Sequence, residues 1–157
     1  LVNVAWTAIL WAAMLLLVPA GRIKQIWPAG LLASIWLFVV NYFSIKAGYY
    51  VFTKYVIAIG GVPLINAFLG GFAGGILLAN WLNRSPLSKI VMVLGASGFM
   101  SLSEFIFVRL EAFRYGLLDP VTSFIHSVAM FSIFVWLALA ILDEDPLESG
   151  NKTRFIK

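Results

Sequence analysis

Cysteine is absent from this 157-residue chain, which excludes disulfides, thiolate metal sites and thiol catalysis. Charge is scarce as well. Only 11% of the residues are Asp, Glu, Lys or Arg, against ~25% in an ordinary soluble domain, and histidine occurs once. Hydrocarbon fills the space, with 62% hydrophobic residues and a mean hydropathy of +0.97. A soluble domain of about this length buries only ~70% of the surface its chain exposes, so the excess apolar surface needs lipid around it. The net charge of +4 does not point to nucleic acid. Its basic residues come singly or in pairs beside hydrophobic runs, whereas a phosphate-binding surface clusters them. No basic stretch precedes the first apolar run, so residues 1–20 do not read as a cleaved signal peptide, although the chain begins with Leu1.

A hydrocarbon core of ~30 Å needs about 20 apolar residues in a helix. Five runs qualify, at about 4–20, 28–45, 63–82, 89–110 and 121–142. The expected fold is therefore all-α, one integral membrane bundle of five transmembrane helices over 1–142, followed by a charged tail at 143–157. Arg22 to Trp27 reads as a connector, and Pro28 is placed to open the second span. Tyr49, Tyr50, Phe52 and Tyr55 look like an aromatic belt at the headgroup level. Gly60, Gly61 and Pro63 then break the chain, so residues 49–62 are expected to be an interfacial segment between the second and third helices.

Orientation follows from the basic residues near the span ends. Arg22, Lys24, Arg84, Lys89, Lys152, Arg154 and Lys157 fall on one side, and Lys46, Lys54, Arg109 and Arg114 on the other. Seven against four puts the N-terminus outside and the C-terminus in the cytoplasm, in a multi-pass protein of the plasma membrane.

Gly70, Gly71, Gly74 and Gly75 make two overlapping Gly-x-x-x-Gly pairs, which let a neighbouring helix approach backbone to backbone. They serve packing within one bundle or a homodimer. No strand precedes them and no Gly-Lys-Ser/Thr follows, which excludes a nucleotide loop.

Glu104 lies inside the fourth span, roughly 9 Å below its outer end. An ionisable group there is costly and faces the bundle interior. Ser97, Ser101 and Glu104 share one face at i, i+4, i+7 spacing. His126, with Ser123 and Ser127 beside it, falls at nearly the same depth on the fifth span, and Asn41 and Asn66 bring the second and third spans to that layer. Three readings of this layer stay open. It is a hydrogen-bonded cluster fixing helix register, a ligand-binding site or the proton-coupled site of a small transporter or transporter subunit, or a Glu104–His126 acid–base pair acting on a lipid or isoprenoid substrate. One histidine with one glutamate is too few ligands for zinc, so neither a metal nor a cofactor is expected. Arg109 is expected to neutralise Glu111. Asn151-Lys152-Thr153 matches a glycosylation acceptor that the expected topology leaves in the cytoplasm, and Asp143-Glu144-Asp145 reads as a solvated end.

Short patterns recur in a recognisable order: Arg22, Lys24, Trp27, Pro28, Gly30 and Leu31, then Gly48-Tyr49-Tyr50, Glu104-Phe105, Phe113-Arg114-Tyr115 and Ser123-Phe124. Over about residues 8–140 the chain resembles an uncharacterised family of small polytopic membrane proteins, found mainly in spore-forming Gram-positive bacteria. The resemblance implies four to six membrane helices, a plasma-membrane location and no assigned activity. Gly116-Leu117-Leu118-Asp119 stands where the family has an aromatic residue, and His126 is not a family feature; both departures weigh against the acid–base pair. The functional expectation is non-enzymatic binding of a small ligand, lipid or protein partner through the layer at Asn41, Asn66, Ser101, Glu104, Ser123 and His126.

Overall fold

A computed structural model describes residues 2–142; the tail at 143–157, with its acidic stretch and its Asn-Lys-Thr, lies outside the described residues. The order is α1 (Val2–Leu17), α2 (Ala20–Lys46), β1 (Tyr50–Phe52), β2 (Ala58–Ile59), β3 (Val62–Pro63), a π-helical turn (Ile65–Gly70) running into α3 (Gly71–Trp81), α4 (Pro86–Arg109), β4 (Phe113–Tyr115) and α5 (Pro120–Ile141). The protein is mainly helical. The three helices α2, α4 and α5 are long and apolar enough to cross a membrane, while α1 and the helix over Ile65–Trp81 are apolar but shorter. Large side chains such as Ile9, Phe43, Leu87, Ile125 and Trp136 point outward, a surface that suits hydrocarbon rather than water.

Helix starts follow local chemistry. Ser85 caps α4 by accepting from the Ser88 N–H, and Asp119 caps α5 in a capping box with Thr122. Each is followed by a proline at the first turn, where its missing N–H costs nothing. These helices lie within three residues of the expected spans.

The second helix does not. It begins at Ala20 rather than Pro28, because Pro19 supplies the extended start, and the supposed connector is helical. The reason is burial: Arg22 is almost fully enclosed and its Nε donates to Asn80 Oδ1 at 3.4 Å. Pro28 sits inside the helix, where it removes one i→i−4 bond.

The third helix also departs from a simple span. Pro63 pairs with Ala58 in a two-residue ribbon, and the helix enters through the π-helical turn. In lipid every backbone carbonyl needs a donor. Ser34 Oγ donates to the Phe68 carbonyl at 2.7 Å and Trp11 Nε1 to the Leu69 carbonyl at 3.0 Å.

Close approach of α2 and α3 organises one half of the molecule. A Cβ on Gly71 would sit 3.0 Å from Ser34 Cα, and one on Gly75 2.8 Å from the Ala29 carbonyl oxygen. Gly74 meets nothing within 4 Å and Gly70 faces Thr7 of α1. One apolar cluster joins Met14, Ile26, Ala73 and Ile76, and a second joins Val93, Phe134 and Ala138 with Ala33 and Leu82.

The segment after α2 and the turn after α4 form one structure. β1 and β4 pair antiparallel, with Tyr50 opposite Tyr115 and Phe52 opposite Phe113. Gly116 is needed there, since any side chain would strike the Gly48 carbonyl. Lys54 Nζ donates to the Leu110 carbonyl at 2.9 Å and pairs with Glu111 at 3.4 Å. Lys54, not Arg109, is thus the partner of Glu111; the Arg109 guanidinium lies 5.2 Å from the Phe105 ring centroid instead.

Candidate functional site

The ribbon closes one end of a cavity of about 80 Å³ between α1, α2, α4 and α5. Glu104 reaches it from α4 and is only 7% exposed. Ser123, one turn into α5, donates to both carboxylate oxygens at 2.9 and 2.8 Å, and the Tyr115 hydroxyl donates to Oε2 at 3.0 Å. The short connection between α4 and α5 sets Ser123 opposite Glu104, and pairing of β4 with β1 turns Tyr115 inward.

Asn41 contributes from α2. Its Nδ2 donates to the Leu37 carbonyl at 2.7 Å and its Oδ1 accepts from the Tyr50 hydroxyl at 2.8 Å. Asn66, in the π-helical turn, lines the cavity, and its amide makes no hydrogen bond among the described residues. His126 also lines the cavity, with Nε2 3.4 Å from Ser44 Oγ and its ring edge-on to Tyr49 at 5.8 Å. The structure thus brings Asn41, Asn66, Glu104 and His126 to one cavity from four separate elements.

Two expectations for this layer are corrected. Glu104 and His126 make no hydrogen bond to each other: the carboxylate is held by Ser123 and Tyr115, and the imidazole turns towards Ser44 and Tyr49. Ser101 does not join the cavity. Its hydroxyl is buried without a partner among the described residues, while Ser103, two residues on, lines the cavity and donates to the Phe99 carbonyl at 2.8 Å. Ser97 spends its hydroxyl locally on the Val93 carbonyl, so of the stripe only Glu104 reaches the cavity, although Met100 and Ser103 of the turn carrying Ser101 line it.

Tyr50, Tyr115 and Ser44 escaped the sequence reading. A signal was present: Tyr50–Phe52 and Phe113–Tyr115 are short aromatic stretches, each beside a glycine, as a two-stranded ribbon needs. Burial pushes the Tyr50 hydroxyl up to about 12, with the charge of Glu104 acting the same way. Burial and then Glu104 also raise Tyr115. Both phenols therefore stay protonated and serve as donors.

Aromatic faces make up much of the wall, including Trp6, Trp36, Phe107 and Phe113. Trp36 is fixed by donation from Nε1 to the Met130 carbonyl at 3.2 Å, and Trp6 packs edge-on against Phe107 at 5.9 Å. Among the described residues no three His, Asp or Glu side chains converge. Chemically the arrangement offers a desolvated carboxylate, two amides and an aromatic wall, a recognition set rather than a nucleophile with its base. No protein-family model, curated protein or solved structure matches the chain.

Proposed function

We propose that this chain is a five-span protein of the plasma membrane that binds a small ligand in the Glu104 cavity without transforming it. The N-terminus is outside and the C-terminal tail cytoplasmic. The single observation that carries the binding reading is the convergence of Asn41, Asn66, Glu104 and His126 on one cavity from four elements. A cluster needed only to fix helix register would satisfy its own polar groups. Here Glu104, Asn41 and Ser123 are hydrogen-bonded within the fold, while Asn66, at the cavity wall, makes no hydrogen bond among the described residues.

Support for five spans comes from the ends of the bundle. The β1–β4 pairing brings the connections after α2 and after α4 to one end, and the Arg22–Asn80 contact brings the starts of α2 and the end of α3 to the other. At 1.5 Å per residue, the 16 residues of α1 extend ~24 Å, short of the hydrocarbon core but within what local thinning accommodates. The orientation rests on the sequence count, seven Lys and Arg against four, with three of the seven in the tail at 143–157. Membership of the spore-former family remains a proposal on its short motifs, of which Tyr50, Glu104, Tyr115 and Ser123 meet at the site.

The test is to denature detergent-purified protein and analyse the released small molecules by mass spectrometry. Wild type is expected to release one compound at near one equivalent. Met100→Trp, which fills the cavity, should release several-fold less at unchanged monodisperse yield. Equal release from both proteins would defeat the reading.

A further inference from the structure

Resting on that reading, we infer the chemical class of the ligand: a primary ammonium group, carried on a short alkyl chain, enters the cavity and pairs with Glu104. Charge is the first argument. Glu104 is 7% exposed, and both of its donors, Ser123 and Tyr115, are neutral hydroxyls. It makes no ion pair among the described residues, and no Lys or Arg lines the cavity. Buried carboxylates are characteristically paired with cations, and among the described residues none stands beside Glu104, so a cationic group entering the cavity would complete the site.

The wall is the second argument. The rings of Trp6, Tyr50, Phe107 and Phe113 border the same space, and aromatic faces carry the negative end of a quadrupole that attracts cations. Size and donor count then select among cations. The cavity, about 80 Å³, is small, which favours a compact primary ammonium over a bulkier quaternary one. A primary ammonium brings three N–H donors. The carboxylate of Glu104 has lone pairs beyond those used by Ser123 and Tyr115, and Asn66 is a second polar residue on the cavity wall.

Depth allows two sources of this chemistry. Glu104 lies five residues before the end of α4 at Arg109, ~7.5 Å along the helix. An ethanolamine headgroup in the surrounding lipid reaches that far, and so does a free short amine.

The experiment titrates the full-length protein in phosphatidylglycerol nanodiscs with ethylammonium chloride, following the fluorescence of the cavity tryptophans Trp6 and Trp36. Sodium chloride at matched ionic strength and 1-propanol, a neutral molecule of similar size, are the controls. Saturable binding of ethylammonium, at least tenfold tighter than 1-propanol, is expected. Glu104→Gln should weaken it by roughly tenfold or more, as loss of a charged hydrogen-bond partner does. Asn66→Leu, whose amide makes no hydrogen bond among the described residues, should weaken it several-fold with unchanged elution on size exclusion. Nanodiscs of phosphatidylethanolamine separate the sources: a raised apparent Kd for ethylammonium there means the lipid headgroup competes, and an unchanged one assigns the site to a free amine, each upholding the ammonium class.

Equal binding of 1-propanol and ethylammonium, or tighter binding of tetramethylammonium, overturns the inference. So does no saturable binding of ethylammonium in either disc. If wild type still releases a compound that Met100→Trp does not, the ligand site survives and only its ammonium specificity falls.

Discussion

At the scale of single residues, the site is a carboxylate whose neighbours are all neutral, and the phenols around it do as much as the acid. Tyr50 links the ribbon to α2 by donating to Asn41, and burial moves its hydroxyl from the ordinary 10.0 to about 12. Because the folded value lies above the unfolded one, the stabilisation from keeping this hydroxyl protonated is complete below pH 10 and is lost as pH rises towards 12. The loss is on the order of 2–3 kcal/mol. Thermal unfolding in detergent across that window should show a falling Tm that coincides with tyrosinate absorbance. Tyr50→Phe should start lower, having lost the bond to Asn41, and should lack this part of the slope. A wild-type Tm that stays level from pH 10 to 12 would mean Tyr50 is not enclosed as described.

At the scale of elements, the two helix pairs are built differently. α2 and α3 touch backbone to backbone, and α4 and α5 are joined through the Glu104–Ser123 bond and apolar side chains. The glycines divide accordingly, as Gly71 and Gly75 face α2 while Gly74 faces open space. Gly75→Ala should therefore cost about 1–3 kcal/mol by overpacking. Gly74→Ala should be neutral or stabilise by up to about 1 kcal/mol, through helix propensity alone. Unfolding temperatures of the two variants in one detergent decide this, and equal losses would contradict the assignment.

The helices were legible because apolar length is a strong signal, and α4 and α5 also carry capped, proline-led starts. The start of α2 was not, because Arg22 and Lys24 look like a connector unless Asn80 is known to receive the arginine. The entry to α3 was hidden for a related reason: a π-helical turn depends on donors from Ser34 and Trp11, far away in the chain. Within the site, Glu104 and Ser123 could be read from depth and from the short turn between their helices. The bond of Glu104 to Tyr115 could not, since it depends on two three-residue strands pairing across about 60 residues of sequence. Ser101 was misplaced because a helical stripe says which residues share a face, not which of them a local opening between helices will reach.

At the scale of the whole molecule, the ribbon of β1 and β4 is a lid of aromatic residues over the cavity, and the account requires that lid to lie at the outer surface of the membrane. Leu117 is 77% exposed just beyond β4, and Ser85 is exposed between α3 and α4. The chain has no cysteine of its own, so a single introduced thiol reports its position without background. The most direct test is labelling of intact cells with a membrane-impermeant maleimide, using Leu117→Cys and Ser85→Cys in separate proteins. The expected result is labelling of Leu117→Cys in intact cells and of Ser85→Cys only after the membrane is opened. Labelling of both before lysis, or of Ser85→Cys alone, would contradict five spans with the cavity in the outer leaflet.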